Sequence, residues 1–134
     1  MPHLVIQYTP QLDAETNMAQ LCQTLSNTML ATQHPDGKPV FPIGATRVLA
    51  FPAAHAVIAD GSGDYAFVYL NFRIAKGRTP EMIEHVGQTL LAATQAHFAS
   101  LFAKRPIGIT LQIDEGHEVF NAVHNNLHSL FNTP

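Results

Sequence analysis

Tryptophan is absent, cysteine occurs once, and charged residues make up only 13% of the 134 positions. Each shortage closes a class of explanation. A lone Cys22 rules out a disulfide framework within the chain and leaves no Cys-x-x-Cys pair for zinc or redox work, so it reads as a small core residue. With 7 Lys and Arg against 10 Asp and Glu, the net charge of -3 gives no global basic field for nucleic acid, and any anion site must be local. Long apolar runs are missing too: the longest weakly polar stretch, 48–59, is broken by Pro52 and His55 and is too short to cross a bilayer. The first residues have no basic flank or apolar segment of the secretory kind, so a soluble cytoplasmic protein is expected. What the chain does have is apolar residues, 46% of the total. That is enough for one folded domain, 1–134, with its own core.

The pattern along the chain predicts strand, helix, strand, strand, helix, strand and a tail. Leu4-Val5-Ile6 makes 3–8 a strand that stops at Thr9-Pro10, with both faces covered. Asp13 then offers an N-cap, and Met18, Leu21, Cys22, Leu25 and Met29 recur on one face of a helix over about 14–31. The stretch 34–44, with Pro35, Gly37, Pro39, Pro42 and Gly44, is an irregular connection. A short strand follows over 46–51, closed by Pro52, and Asp60-Gly61-Ser62-Gly63 turns the chain into a central strand over 64–74. Thr79 as N-cap and Pro80 at the first helical position open a helix to about 103, with an apolar stripe through Met82, Val86, Leu90, Ala93, His97, Leu101 and Phe102. Clean alternation of Ile107, Ile109, Leu111 and Ile113 gives a half-buried strand, and Phe120, Val123, Leu127 and Leu130 suggest a short C-terminal helix.

This order divides into two βαβ-like halves, each with a Thr-Pro corner before its helix. The fold class is therefore α+β, with a mixed four-stranded sheet and two helices on one face. A non-catalytic, oligomeric binding domain of ferredoxin-like topology would show the same order.

The opening Met1-Pro2-His3 admits two readings. Pro2 is an ordinary second residue, or removal of Met1 exposes a secondary amine at the head of a strand. The histidines invite a metal site, since His124 and His128 are four apart with His117 upstream, but no zinc signature accompanies them and none is assigned. His117 and His128 are expected to order the tail by hydrogen bonding, and His97 to be a satisfied core histidine.

Taken together, Met1-Pro2-His3, Ala59-Asp60-Gly61, Asp64-Tyr65-Ala66-Phe67-Val68, Gly77-Arg78-Thr79-Pro80-Glu81, His97-Phe98-Ala99, Glu115 with His117, and Asn125-Asn126-Leu127-His128-Ser129-Leu130-Phe131 span the chain. In this order and spacing they resemble the tautomerase superfamily, and within it the 5-carboxymethyl-2-hydroxymuconate isomerases. The resemblance implies a βαββαβ fold assembled as a homotrimer with sites between subunits. It also implies no metal or organic cofactor, and a small carboxylated enol or keto acid as substrate. Pro2 matches the catalytic proline, Arg78 the arginine of the Gly-Arg corner, and Arg47 one arginine of a pair. At the expected place of the other, two residues earlier, stands Ala45.

The chemistry suits these residue types. Moving a proton from an enol oxygen to a distant carbon needs a base whose conjugate acid titrates near neutrality. An α-amino group ordinarily titrates at about 7.7 to 8.0, and an apolar pocket with neighbouring arginines lowers the value for the more basic proline amine. Arg47 and Arg78 would bind carboxylates and stabilise charge on the carbonyl oxygen. Phenylpyruvate-type keto-enol exchange on the same base is the enzymatic alternative that Ala45 keeps open.

Overall fold

The computed structural model describes residues 2–131. Strands β1 (His3–Tyr8), β2 (Arg47–Pro52), β3 (Ala66–Ile74) and β4 (Ile107–Glu115) form one sheet in the order β2-β1-β3-β4. β1 runs parallel to β2, β3 runs parallel to β4, and the two halves join antiparallel through β1 and β3. Each strand-helix-strand half thus supplies a parallel pair, as the internal repeat predicts, and the α+β class and mixed sheet hold.

Alternation decides which side chains enter the core. Leu4, Ile6 and Tyr8 of β1 and Val68, Leu70 and Phe72 of β3 are buried against the helices with Leu21, Leu25, Val86, Leu90 and Phe98. The opposite face carries His3, Val5 and Gln7 beside Arg47, Leu49 and Phe51, and Gln7, Leu49 and Phe51 are exposed. The expectation that β1 is covered on both faces therefore fails in the isolated chain.

The first helical segment is interrupted. Helix α1 (Leu12–Glu15) ends where Thr16 turns extended, and α2 (Met18–Leu30) restarts with Asn17, not Asp13, as the N-cap accepting from the Gln20 amide at 3.0 Å. Asp13 instead accepts from the Tyr8 hydroxyl at 2.6 Å. Helix α3 (Pro80–Phe102) begins as predicted, with the Thr79 hydroxyl accepting from the Met82 amide at 3.1 Å and Pro80 in the first turn. Its buried face runs Val86, Leu90, Thr94, Phe98, so Phe98 enters the core while His97 sits at its margin and Phe102 points outward.

The stretch 34–44 is more ordered than expected. An isolated bridge pairs Gln33 with Pro39 around the positive-φ Gly37, and the return limb inserts Val40 and Phe41 into the core. The C-terminal helix expected over 120–130 is reduced to a single 3₁₀ turn, His128–Leu130. Val119, Phe120, Val123, Leu127 and Leu130 are exposed, so the stripe lacks the docking contacts that stabilise short helices. No helix among the described residues is long and apolar enough to cross a membrane.

Candidate functional site

The amino-terminal end of β1 lies between two strands, and this brings distant residues into one row. His3 is the lateral partner of Arg47 on β2 and of Arg73 on β3, and Arg73 in turn is paired with Asp114 on β4. Pro2 is buried at the head of the strand, and its carbonyl accepts from the Arg47 amide at 3.2 Å. His3, Arg47 and Arg73 line a cavity of about 310 Å³ on the open face of the sheet, whose far wall is the tail segment holding Glu118, His124 and Asn125.

Local structure fixes Arg47. A 3₁₀ turn, Ile43–Ala45, presents the Gly44 and Thr46 carbonyls, to which one Arg47 guanidinium nitrogen donates at 2.8 and 3.1 Å. Ala45 within that turn is only 5% exposed. Gly44 is needed for close approach: a Cβ on it would lie 2.7 Å from the His128 Cα, so the tail rests directly on this turn. The tail is organised by Asn125, whose side-chain oxygen accepts from the Leu127 and His128 amides at 3.1 Å each.

Arg78 stands apart from the Arg47 cavity. It follows β3 on the helix side, where its guanidinium lies 4.9 Å over the Phe41 ring and donates to the Ala75 carbonyl at 3.2 Å. Phe41 itself packs edge-on against Phe72, with ring centroids 5.5 Å apart. Burial pulls the Arg78 pKa below its ordinary value, opposed by the charge of Glu115, and an arginine in such a place stays protonated at neutral pH. By strand alternation Pro2 shares the helix side with Leu4. Of the two sequence-predicted arginines, Arg47 thus lies beside His3 on the open face, and Arg78 lies on the helix side over Phe41.

The electrostatics at this end are positive. Burial, the amino-terminal charge and Arg47, in that order, hold the His3 pKa below the usual histidine range, so the imidazole is neutral at pH 7. The ion pairs among the described residues both belong to Arg105, with Glu15 and with Asp64, which leaves Arg47, Arg73 and Arg78 unpaired by carboxylates. A larger hollow of about 690 Å³ lies at the other end of β1, around Tyr8, Asp13 and Cys22, but its lining has two acids and no base and cannot attract an anion. No group of three or more His, Cys, Asp or Glu among the described residues could hold a metal ion.

Two residues in these surroundings were not assigned a role from the linear sequence. Phe41 was hidden in a proline-rich connection, although the apolar pair Val40-Phe41 there is a signal of insertion. Arg73 shares a cavity with Arg47 because their strands flank β1 and both pair with His3.

A family profile for 5-carboxymethyl-2-hydroxymuconate isomerase matches residues 2–131. The chain is 29% identical over 131 residues to the 5-carboxymethyl-2-hydroxymuconate Delta-isomerase of Escherichia coli, covering 98% of this chain and 99% of that protein. The crystal structure of a 5-carboxymethyl-2-hydroxymuconate delta-isomerase superposes with a TM-score of 0.95 at 44% identity, covering 100% of this chain and 95% of the other. That of a 5-carboxymethyl-2-hydroxymuconate isomerase from Deinococcus radiodurans R1 gives 0.86 at 34%, covering 98% and 95%.

Proposed function

Because the chain belongs to the 5-carboxymethyl-2-hydroxymuconate isomerase family of the tautomerase superfamily, and is an isomerase of that kind, we propose that it converts a hydroxymuconate-type enol acid into its keto isomer with Pro2 as the base. The observation that supports this assignment of roles is Pro2 buried at the head of β1, its carbonyl accepting from the Arg47 amide.

Once Met1 is removed, the Pro2 nitrogen takes the proton of the substrate 2-hydroxyl. The enol electron pair moves into the conjugated system, the carbon-oxygen double bond forms, and the same nitrogen returns a proton to the far carbon. No electron is lost and no group is transferred, so the protein has only to hold the acid, tune the amine and stabilise the dienolate. The processed Pro2 amine acts as base in its unprotonated form, and its buried place at the head of β1 suits that role. Arg47 and Arg78 anchor carboxylates and meet charge as it builds on oxygen. The substrate is a small carboxylated enol from aromatic-acid breakdown, and the working assembly is a homotrimer with its sites where copies meet.

The test is Pro2→Ala in protein whose processed amino terminus has been verified by mass spectrometry. Ultraviolet assays should show a loss on the order of 10²- to 10⁴-fold with unchanged circular dichroism. Full retention of activity overturns the assignment of the base. Ala45 favours phenylpyruvate-type keto-enol exchange as the second reading, and a panel of mono-, di- and tricarboxylate enols separates the two.

A further inference from the structure

We infer that Arg73 is a substrate-binding residue that, opposite Arg47 across His3, selects acids bearing more than one carboxylate. The inference rests on the isomerase reading above and adds a specificity determinant to it.

The register sets the geometry. His3 has Arg47 as its partner on one side and Arg73 on the other, so the two arginine backbones stand two strand spacings apart, about 10 Å. All three side chains line the same cavity. A diacid offers a separate carboxylate to each guanidinium, whereas a monocarboxylate has only one to share between them. Arg73 is exposed and, among the described residues, takes part in neither ion pair. Its lateral neighbour Asp114 feels the Arg73 charge without forming an ion pair with it, and that carboxylate accepts from the Asn71 amide at 2.7 Å and from the Gln112 amide at 3.0 and 3.2 Å. Arg47 keeps donors to spare, since the nitrogen held by the Gly44 and Thr46 carbonyls is only one of its three. Glu118 is the single acid of the lining, set against two guanidiniums. The second cation of this cavity stands on β3, on the other side of β1 from Arg47.

The experiment compares the wild-type chain with Arg73→Ala and Arg73→Lys in two independent readouts. The first is calorimetric titration with cis,cis-muconate, an unsaturated diacid that lacks the enol and binds without reacting. Arg73→Ala should weaken Kd about tenfold, and Arg73→Lys should recover part of it, as expected for loss and partial return of a charged hydrogen-bonding partner. The second is turnover of 5-carboxymethyl-2-hydroxymuconate against a phenylpyruvate enol. The change should fall in KM for the polycarboxylate rather than in kcat, with a much smaller change for the monoacid. Unchanged muconate affinity, absence of muconate binding by the wild type, or equal loss on both enols overturns the inference. Arg73-dependent muconate binding without any isomerisation by the wild type would overturn the reaction assigned above and leave the binding role standing.

Discussion

Arg78 sits over Phe41 with one nitrogen on the Ala75 carbonyl, so its removal has two separable effects. Loss of the stacking contact costs about 0.5–1 kcal/mol of stability, read as a shift in the urea midpoint. Loss of the charge acts on KM if the group anchors a carboxylate and on kcat if it meets the oxyanion. Arg78→Lys should restore charge without the planar fork and recover only part of the activity, which steady-state kinetics will show. Gly44 is a sharper structural test. A Cβ there would press on the His128 backbone, which cannot yield as a flexible side chain would. Gly44→Ala should therefore lift the tail from its turn, and limited proteolysis should cut within 116–131 faster than in the wild type. Legibility at this scale divides by mechanism. The roles proposed for Pro2 and Arg78 rest on the match of Met1-Pro2-His3 and Gly77-Arg78-Thr79 to the family across the whole chain, not on either piece alone. Arg73 could not be read in that way, since its meaning depends on a lateral partner 70 positions away, His3.

Among the elements, the start of α3 was announced by Thr79-Pro80, although its buried face runs through Thr94 and Phe98 rather than His97 and Phe102, whereas the first helix was not divided correctly. Residues 12–30 keep helical spacing throughout, and only the extended Thr16 and the Asn17 cap break them. A tertiary contact accompanies the break: the Thr16 hydroxyl lies 2.9 Å from His97 Nε2 on α3, while the His97 ring meets Phe98 edge-on at 4.8 Å. The histidine is satisfied, as the sequence suggested, and burial holds its pKa below 6.5. The unfolded chain therefore takes up this proton at higher pH than the native one. Stability from His97 is fully present above about pH 6.5 and is lost as pH falls through that value towards the folded pKa. Urea midpoints measured from pH 7 downwards should fall, and His97→Gln, which keeps a hydrogen-bonding group but cannot titrate, should flatten the decline. At the start of α3, Thr79→Ala removes the acceptor for the Met82 amide and should cost about 1 kcal/mol, with Thr79→Ser restoring most of it in the same titration.

For the whole molecule, the helix side is closed and the other side is not. Leu49 and Phe51 are 49% and 51% exposed beside the half-buried Val5, and the tail exposes Phe120 at 85% and Leu130 at 70%. Alternation in β1 and β3 made one buried face legible, but nothing in a single strand tells whether its other face meets water or another chain. The proposed trimer answers this by laying the open faces and tails of the copies against one another, which removes apolar area from water and completes sites at the head of β1. A charge on that face separates assembly from folding. Phe51→Glu lies outside the core cluster and is at the far end of β1 from Pro2, since Phe51 pairs with Gln7. It should leave circular dichroism intact while light scattering shifts from trimer to monomer, because an unpaired carboxylate is not buried at an apolar contact without a large penalty. Activity should fall in step with the monomer fraction and recover at high protein concentration. A wild-type chain that is monomeric and fully active would remove the trimer from the mechanism. It would also confine the working site to His3, Arg47, Arg73 and Arg78 of one chain.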